Sequence, residues 1–110
     1  METIHWYNYL AAFFSGVILT NAVPHFIHGI SGDKFPTPFS KPPGKGLSSP
    51  VVNTLWACFN LLIGYILFRV SEVSSHDEIL LSVFFIGIFS ISVFSSNAFS
   101  KKQNDNGTKQ

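Results

Sequence analysis

Three long stretches of this 110-residue chain contain no Asp, Glu, Lys or Arg, and they constrain its fold more than any other feature. They cover residues 7–27, 51–68 and 79–99. At about 1.5 Å per residue, each would form a helix of about 27–31 Å, which matches the hydrocarbon core of a bilayer. We therefore predict an all-α membrane protein with three transmembrane helices, at about 6–28, 50–70 and 78–99.

The composition agrees with this prediction. Charged residues make up only 12% of the chain, about half of their usual share in soluble domains, which leaves too little polar surface for a soluble bundle. The net charge of +1 gives no reason to expect nucleic-acid binding. Cys58 is the single cysteine, which excludes an intrachain disulfide and any cysteine-based metal motif. We expect one transmembrane domain over residues 1–100, followed by a polar, disordered tail over 101–110.

The first apolar segment is interpreted as a retained helix rather than a cleaved signal peptide. No Lys or Arg precedes it, whereas a signal peptide normally begins with a basic region. With three spans, the first loop and the C-terminus share one side of the membrane. The basic residues on that side are Lys34, Lys41, Lys45, Lys101, Lys102 and Lys109, and only Arg69 lies on the other. The positive-inside rule therefore predicts a plasma or inner membrane protein with its N-terminus outside and its C-terminus in the cytoplasm.

The predicted cytoplasmic loop between the first two helices is rich in proline and glycine. Residues 31–50 contain five prolines and three glycines, which favour fixed turns and exclude a continuous helix. We expect Lys34, Lys41 and Lys45 to contact anionic lipid headgroups, at about 1 kcal/mol each. Phe35 and Phe39 are expected to insert at the membrane interface beside them.

Polar side chains within the apolar segments form the candidate functional site. Because successive helical residues turn by about 100°, the polar groups of the first helix share one face, as do those of the second. The predicted site comprises Asn21, Pro24, His25, His28, Asn53, Trp56 and Asn60. Since the two helices run in opposite directions, these two faces should lie at similar depths and meet. Polar groups inside a membrane often mark a functional site, but amides and small residues also hold membrane helices together.

The candidate residues do not form a recognisable catalytic or metal-binding motif. His25 and His28 have a spacing that permits two ligands on one helix face, but a zinc site needs at least three protein ligands. Asp33 is the only nearby carboxylate. No Ser-His-Asp arrangement can be identified. We predict no metal site and no cofactor, and we regard an enzymatic activity as the less favoured alternative.

Three hypotheses for function follow from these patterns. The leading one is a non-catalytic accessory or helix-packing subunit that associates with the bilayer and with a second copy or a larger membrane protein. The second is a half-transporter that dimerises around Asn21, His25, Asn53, Trp56 and Asn60. In its number of helices and its orientation the chain resembles the three-helix half-transporters of the SWEET type, with Pro24-His25 where that family has a proline-glutamine pair. The third is a membrane metal or redox protein that uses His25 and His28.

Overall fold

The fold consists of three long α-helices joined by one structured loop and one short connection. The structure is a computed structural model and describes residues 3–74 and 76–108. Helix α1 covers Trp6–Ile30, α2 covers Pro50–Ser71 and α3 covers Glu78–Thr108. All three are long and apolar enough to cross a membrane, α3 over Glu78–Ser100. The predicted all-helical architecture with three such helices is therefore confirmed.

Local polar groups fix where the helices begin and end. The backbone N–H of His5 donates to Asn8 Oδ1 at 2.7 Å at the start of α1. Ser49 caps α2, because its hydroxyl accepts from the Val52 N–H at 3.1 Å, and Pro50 occupies the favoured first helical position. Helix α2 ends at Ser71, because the next residue, Glu72, has a left-handed φ of 59° that interrupts the helical path.

Helix α3 continues further than the sequence pattern suggested. Residues 101–108 are helical, where the analysis of the sequence expected a tail without regular structure. Each added residue gains one hydrogen bond on an existing helix. Lys101, Lys102 and Gln103 are good helix formers and favour the first turn of the extension. The last two residues of the expected tail lie outside the described residues.

Helix α1 lies at the centre of the packing. It packs closely against both α2 and α3, whereas α2 and α3 touch through the rings of Phe68 and Phe84, whose centroids are 5.4 Å apart. The contact between α1 and α3 depends on glycine. A Cβ atom on Gly87 would overlap the carbonyl oxygen of Phe13, and one on Gly16 would overlap that of Phe84. These two glycines let the backbones approach as small residues commonly do between membrane helices.

The loop between α1 and α2 folds into a compact unit. Phe35 and Ser48 form an isolated antiparallel bridge, with N–H to O distances of 3.2 and 3.0 Å. Inside it, the carbonyl of Thr37 accepts from the Ser40 and Gly44 N–H groups at 3.1 and 2.9 Å, and the Thr37 hydroxyl pairs with that of Ser48. The bridge brings the two ends of the loop together at the start of α2.

Candidate functional site

A buried hydrogen bond between His25 and Asn53 is the centre of the candidate site. His25 Nδ1 lies 2.8 Å from Asn53 Oδ1, and the two residues are 3% and 0% exposed. Because an amide oxygen only accepts, His25 must carry its proton on Nδ1 and donate it. The ring of a helix α1 residue is thereby fixed to a side chain in the first turn of α2.

The amide nitrogen of Asn53 faces the loop. Asn53 Nδ2 donates to the carbonyl oxygens of Phe35 at 2.9 Å and Ser49 at 3.1 Å, with a longer contact to Ser48 at 3.3 Å. One side chain therefore connects three parts of the protein: α1, the start of α2 and the bridged ends of the loop. Its position in the middle of this network makes Asn53 the main structural link of the site.

Aromatic contacts enclose this network. Phe35 is only 6% exposed, and its ring stacks on His28 at 4.3 Å and meets the edge of His25 at 5.4 Å. Phe99 of α3 packs on the same ring at 4.7 Å. The expectation that Phe35 inserts at a membrane interface is therefore wrong. Its bridge to Ser48 turns the ring inward, where it fills the space between α1 and α3.

His28 and Trp56 each keep one polar nitrogen without a hydrogen bond among the described residues. His28 Nδ1 and Trp56 Nε1 are both buried atoms. The nearest charged group to His28 is the Asp33 carboxylate, at 3.7 Å and in an exposed position. The Trp56 ring stacks on Phe59 at a centroid distance of 5.8 Å and makes a T-shaped contact with the His25 ring at 6.5 Å. These two side chains thus contribute mainly ring contacts to the site.

The other predicted intramembrane residues lie further along the same interface. Asn21 Nδ2 is 3.4 Å from Asn60 Oδ1, a long contact, and Asn60 Nδ2 donates to the Trp56 carbonyl in its own helix at 2.8 Å. Pro24 lies inside α1, which continues to Ile30. The structure therefore brings Asn21 beside Asn60 and His25 beside Asn53. The three predicted headgroup residues Lys34, Lys41 and Lys45 are exposed on the loop.

Two contacts that the sequence analysis did not identify extend the interface towards the opposite end. Ser15 Oγ donates to the Gly64 carbonyl at 3.0 Å, and Asn8 Nδ2 donates to the Val70 carbonyl at 3.0 Å. Both donors are buried. The sequence shows where Ser15 and Asn8 lie along α1 relative to His25. It does not show their partners, because a serine or asparagine on an apolar helix has many possible acceptors. Only the pairing of the two helices selects these carbonyls.

The polar groups at the centre of the site attach the two helices and the loop to one another. The buried polar atoms of His25 and Asn53 are already paired with each other and with loop carbonyls. Within residues 3–74 and 76–108 no group of three or more His, Cys, Asp or Glu side chains could hold a metal ion. No protein-family model matches this sequence, and no curated protein or solved structure is detectably similar to it.

Proposed function

We propose that this chain is a multi-pass protein of the plasma or inner membrane. The support is the presence of three helices of sufficient length and hydropathy, together with the concentration of lysines on the loop and the C-terminal segment. In the proposed orientation the N-terminus is outside, and the proline- and glycine-rich loop and the C-terminus are cytoplasmic.

Within that membrane, we infer that the protein is a non-catalytic accessory subunit that packs against other helices. The observation that carries this inference is the difference between the two sides of the bundle. The polar side chains of α1 and α2 are buried against each other, as the 0% exposure of Asn53 and the 6% exposure of Asn60 illustrate. Helix α3, by contrast, leaves polar side chains on its outer surface.

The outer surface of α3 lies opposite its contact with α1. At about 100° per residue, Ser96 is about 180° from Gly87 around the helix, and Ser92 and Ser100 lie within about 40° of Ser96. These serines and the flanking Asn97 are exposed. Ser92 donates to its own helix, whereas Ser96, Asn97 and Ser100 make no side-chain hydrogen bond within residues 3–74 and 76–100. Asn97 lies about 80° from Gly87, at the side of the helix, so we name Ser92, Ser96 and Ser100 the α3 outer face.

Hydroxyl groups that face hydrocarbon without a partner are unfavourable, and a neighbouring helix relieves the cost. The α3 outer face is therefore the proposed surface for a partner helix, from a second copy or from a larger membrane protein. In the half-transporter alternative, His25, Asn53 and Asn60 of two copies would instead line a substrate path between them. Those groups would have to break their present contacts to line it, so the subunit role has the better support.

Site-directed photocrosslinking in native membranes tests the proposed partner surface. Cys58→Ser provides a background without cysteine, and Ser96→Cys then carries a benzophenone maleimide. We expect a crosslinked product whose mass identifies the partner: twice the 12.2 kDa of the chain for a second copy, or a larger increment for another protein.

Ser90→Cys is the matched control, because it is also an exposed serine on α3 but lies about 120° away around the helix. The label at position 90 should give much less product than the label at position 96. Equal yields at the two positions, or only uncrosslinked chain at position 96, would contradict the α3 outer face as a partner surface.

A further inference from the structure

The beginning of α2 carries an open apolar groove on its outer side. The groove has a volume of about 380 Å³ and is lined by Phe39, Val52, Leu55, Trp56 and Phe59. Leu55 and Phe59 are 65% and 55% exposed. From Val52 to Phe59 the groove extends for about 10 Å along the helix. We call it the α2 groove.

The loop end of the α2 groove opens into a second depression of different chemistry. This depression, of about 440 Å³, shares Phe39 and Val52 with the groove and adds Ser40, Lys41, Leu47, Ser48 and Ser49. The apolar α2 groove is thus continuous with a polar depression that is lined by a lysine. Such an amphipathic shape fits a molecule with a hydrocarbon chain and an anionic head.

Lys41 is held in place by the fold of the loop. The Gly46 N–H donates to the Pro42 carbonyl at 2.8 Å, and a Cβ atom on Gly46 would overlap the backbone of Lys41. Its ammonium group forms no ion pair with any described carboxylate. The positive end of the α2 dipole, at Pro50, adds to the favourable potential for an anion at this end.

We propose that the α2 groove binds one acyl chain of an anionic phospholipid and that Lys41 pairs with the phosphate of its headgroup. The inference rests on the proposed membrane location, which places the start of α2 at the cytoplasmic surface, where anionic lipids attract basic residues. In this proposal Lys41 alone selects the anionic lipid, and the combined charge of the three loop lysines does not.

Fluorescence quenching by brominated lipids tests this proposal with the full chain. Trp6→Phe leaves Trp56, in the wall of the groove, as the only tryptophan. The protein is reconstituted in phosphatidylcholine vesicles that contain either brominated phosphatidylglycerol or brominated phosphatidylcholine at equal mole fraction. We expect the anionic lipid to bind beside Trp56 about fivefold more strongly than the zwitterionic one, as one lysine near the membrane surface would provide.

Two matched pairs of variants locate the effect. Lys41→Gln should reduce the fivefold preference to about one, whereas Lys45→Gln, which removes the same charge outside the depression, should preserve it. Val52→Phe fills the junction of groove and depression and should reduce quenching by the anionic lipid. Val51→Phe, a change at an exposed neighbour outside the groove, should leave it unchanged.

Equal quenching by both lipids would overturn the proposal, as would a loss of preference in Lys45→Gln as large as in Lys41→Gln, which would indicate diffuse attraction. A protein that co-floats with the vesicles but shows no preference contradicts only the lipid site. A protein that fails to co-float contradicts the membrane location on which both proposals depend.

Discussion

Replacing Asn53 by alanine should destabilise the fold more than any other substitution of a polar residue in the helices. The change removes the acceptor for His25 at 2.8 Å and the donor to the carbonyls of Phe35, Ser48 and Ser49. The amide has two hydrogens, so these contacts amount to at most three full hydrogen bonds. At the average of about 0.6 kcal/mol for polar pairs between membrane helices they sum to about 2 kcal/mol. At the value of about 1 kcal/mol typical of buried hydrogen bonds they sum to about 3 kcal/mol. We therefore expect a loss of about 2–3 kcal/mol in the free energy of unfolding.

Titration with sodium dodecyl sulfate in mixed micelles, followed by far-ultraviolet circular dichroism, measures this free energy. Asn60→Ala is the control, because Asn60 is also a buried asparagine of α2. Its contacts are a 3.4 Å approach to Asn21 and a bond within its own helix, so we expect a loss of about 1 kcal/mol or less. Equal losses for the two variants would refute the conclusion that Asn53 links the loop to both helices.

A double-mutant cycle separates the histidine contact from the loop contacts. If the bond between His25 and Asn53 is stabilising, the effects of His25→Ala and Asn53→Ala should not add, and the coupling should be about 0.5–3 kcal/mol. His25→Ala alone should cost less than Asn53→Ala, since His25 has one hydrogen bond in this network and Asn53 has four contacts. A coupling near zero would leave the loop carbonyls as the relevant partners of Asn53.

Two further predictions concern packing and orientation. Gly87→Ala places a Cβ atom against the α1 backbone and should lower the free energy of unfolding by about 1–3 kcal/mol in the same titration. Ser82→Ala, at an exposed position of α3, should change this free energy by less than about 0.5 kcal/mol. Similar losses for the two variants would show that the packing of α1 on α3 does not depend on close approach. In a Cys58→Ser background, a membrane-impermeant maleimide should label Ser74→Cys in intact cells and Lys45→Cys only after permeabilisation, and the reverse pattern would contradict the proposed orientation.

The helices themselves could be predicted from the sequence because their hydrogen bonds are local. The predicted ranges 6–28 and 50–70 differ by at most two residues from α1 and α2. An uncharged apolar run and a capping group such as Ser49 suffice to define such a helix. The end of α3 is less predictable, because polar residues beyond an apolar run are compatible with both helix and coil.

In the candidate site, too, local contacts were predictable and contacts between distant parts of the chain were not. Helical periodicity placed His25 and Asn53 on facing sides of two antiparallel helices, so their meeting followed from local geometry. The ring of Phe35 illustrates the opposite case. Its inward position depends on the bridge to Ser48 and on Phe99 from the distant end of α3.

The sequence by itself therefore determined three apolar helices and the residues that form their polar faces, since both depend on composition and periodicity along the chain. Only the tertiary structure decided that Asn53 donates to the loop, that Phe35 packs on the two histidines, and that the serines near the end of α3 face outward. These outcomes depend on contacts between residues that are far apart in the chain. The path of the loop and the close approach at Gly16 and Gly87 bring them there.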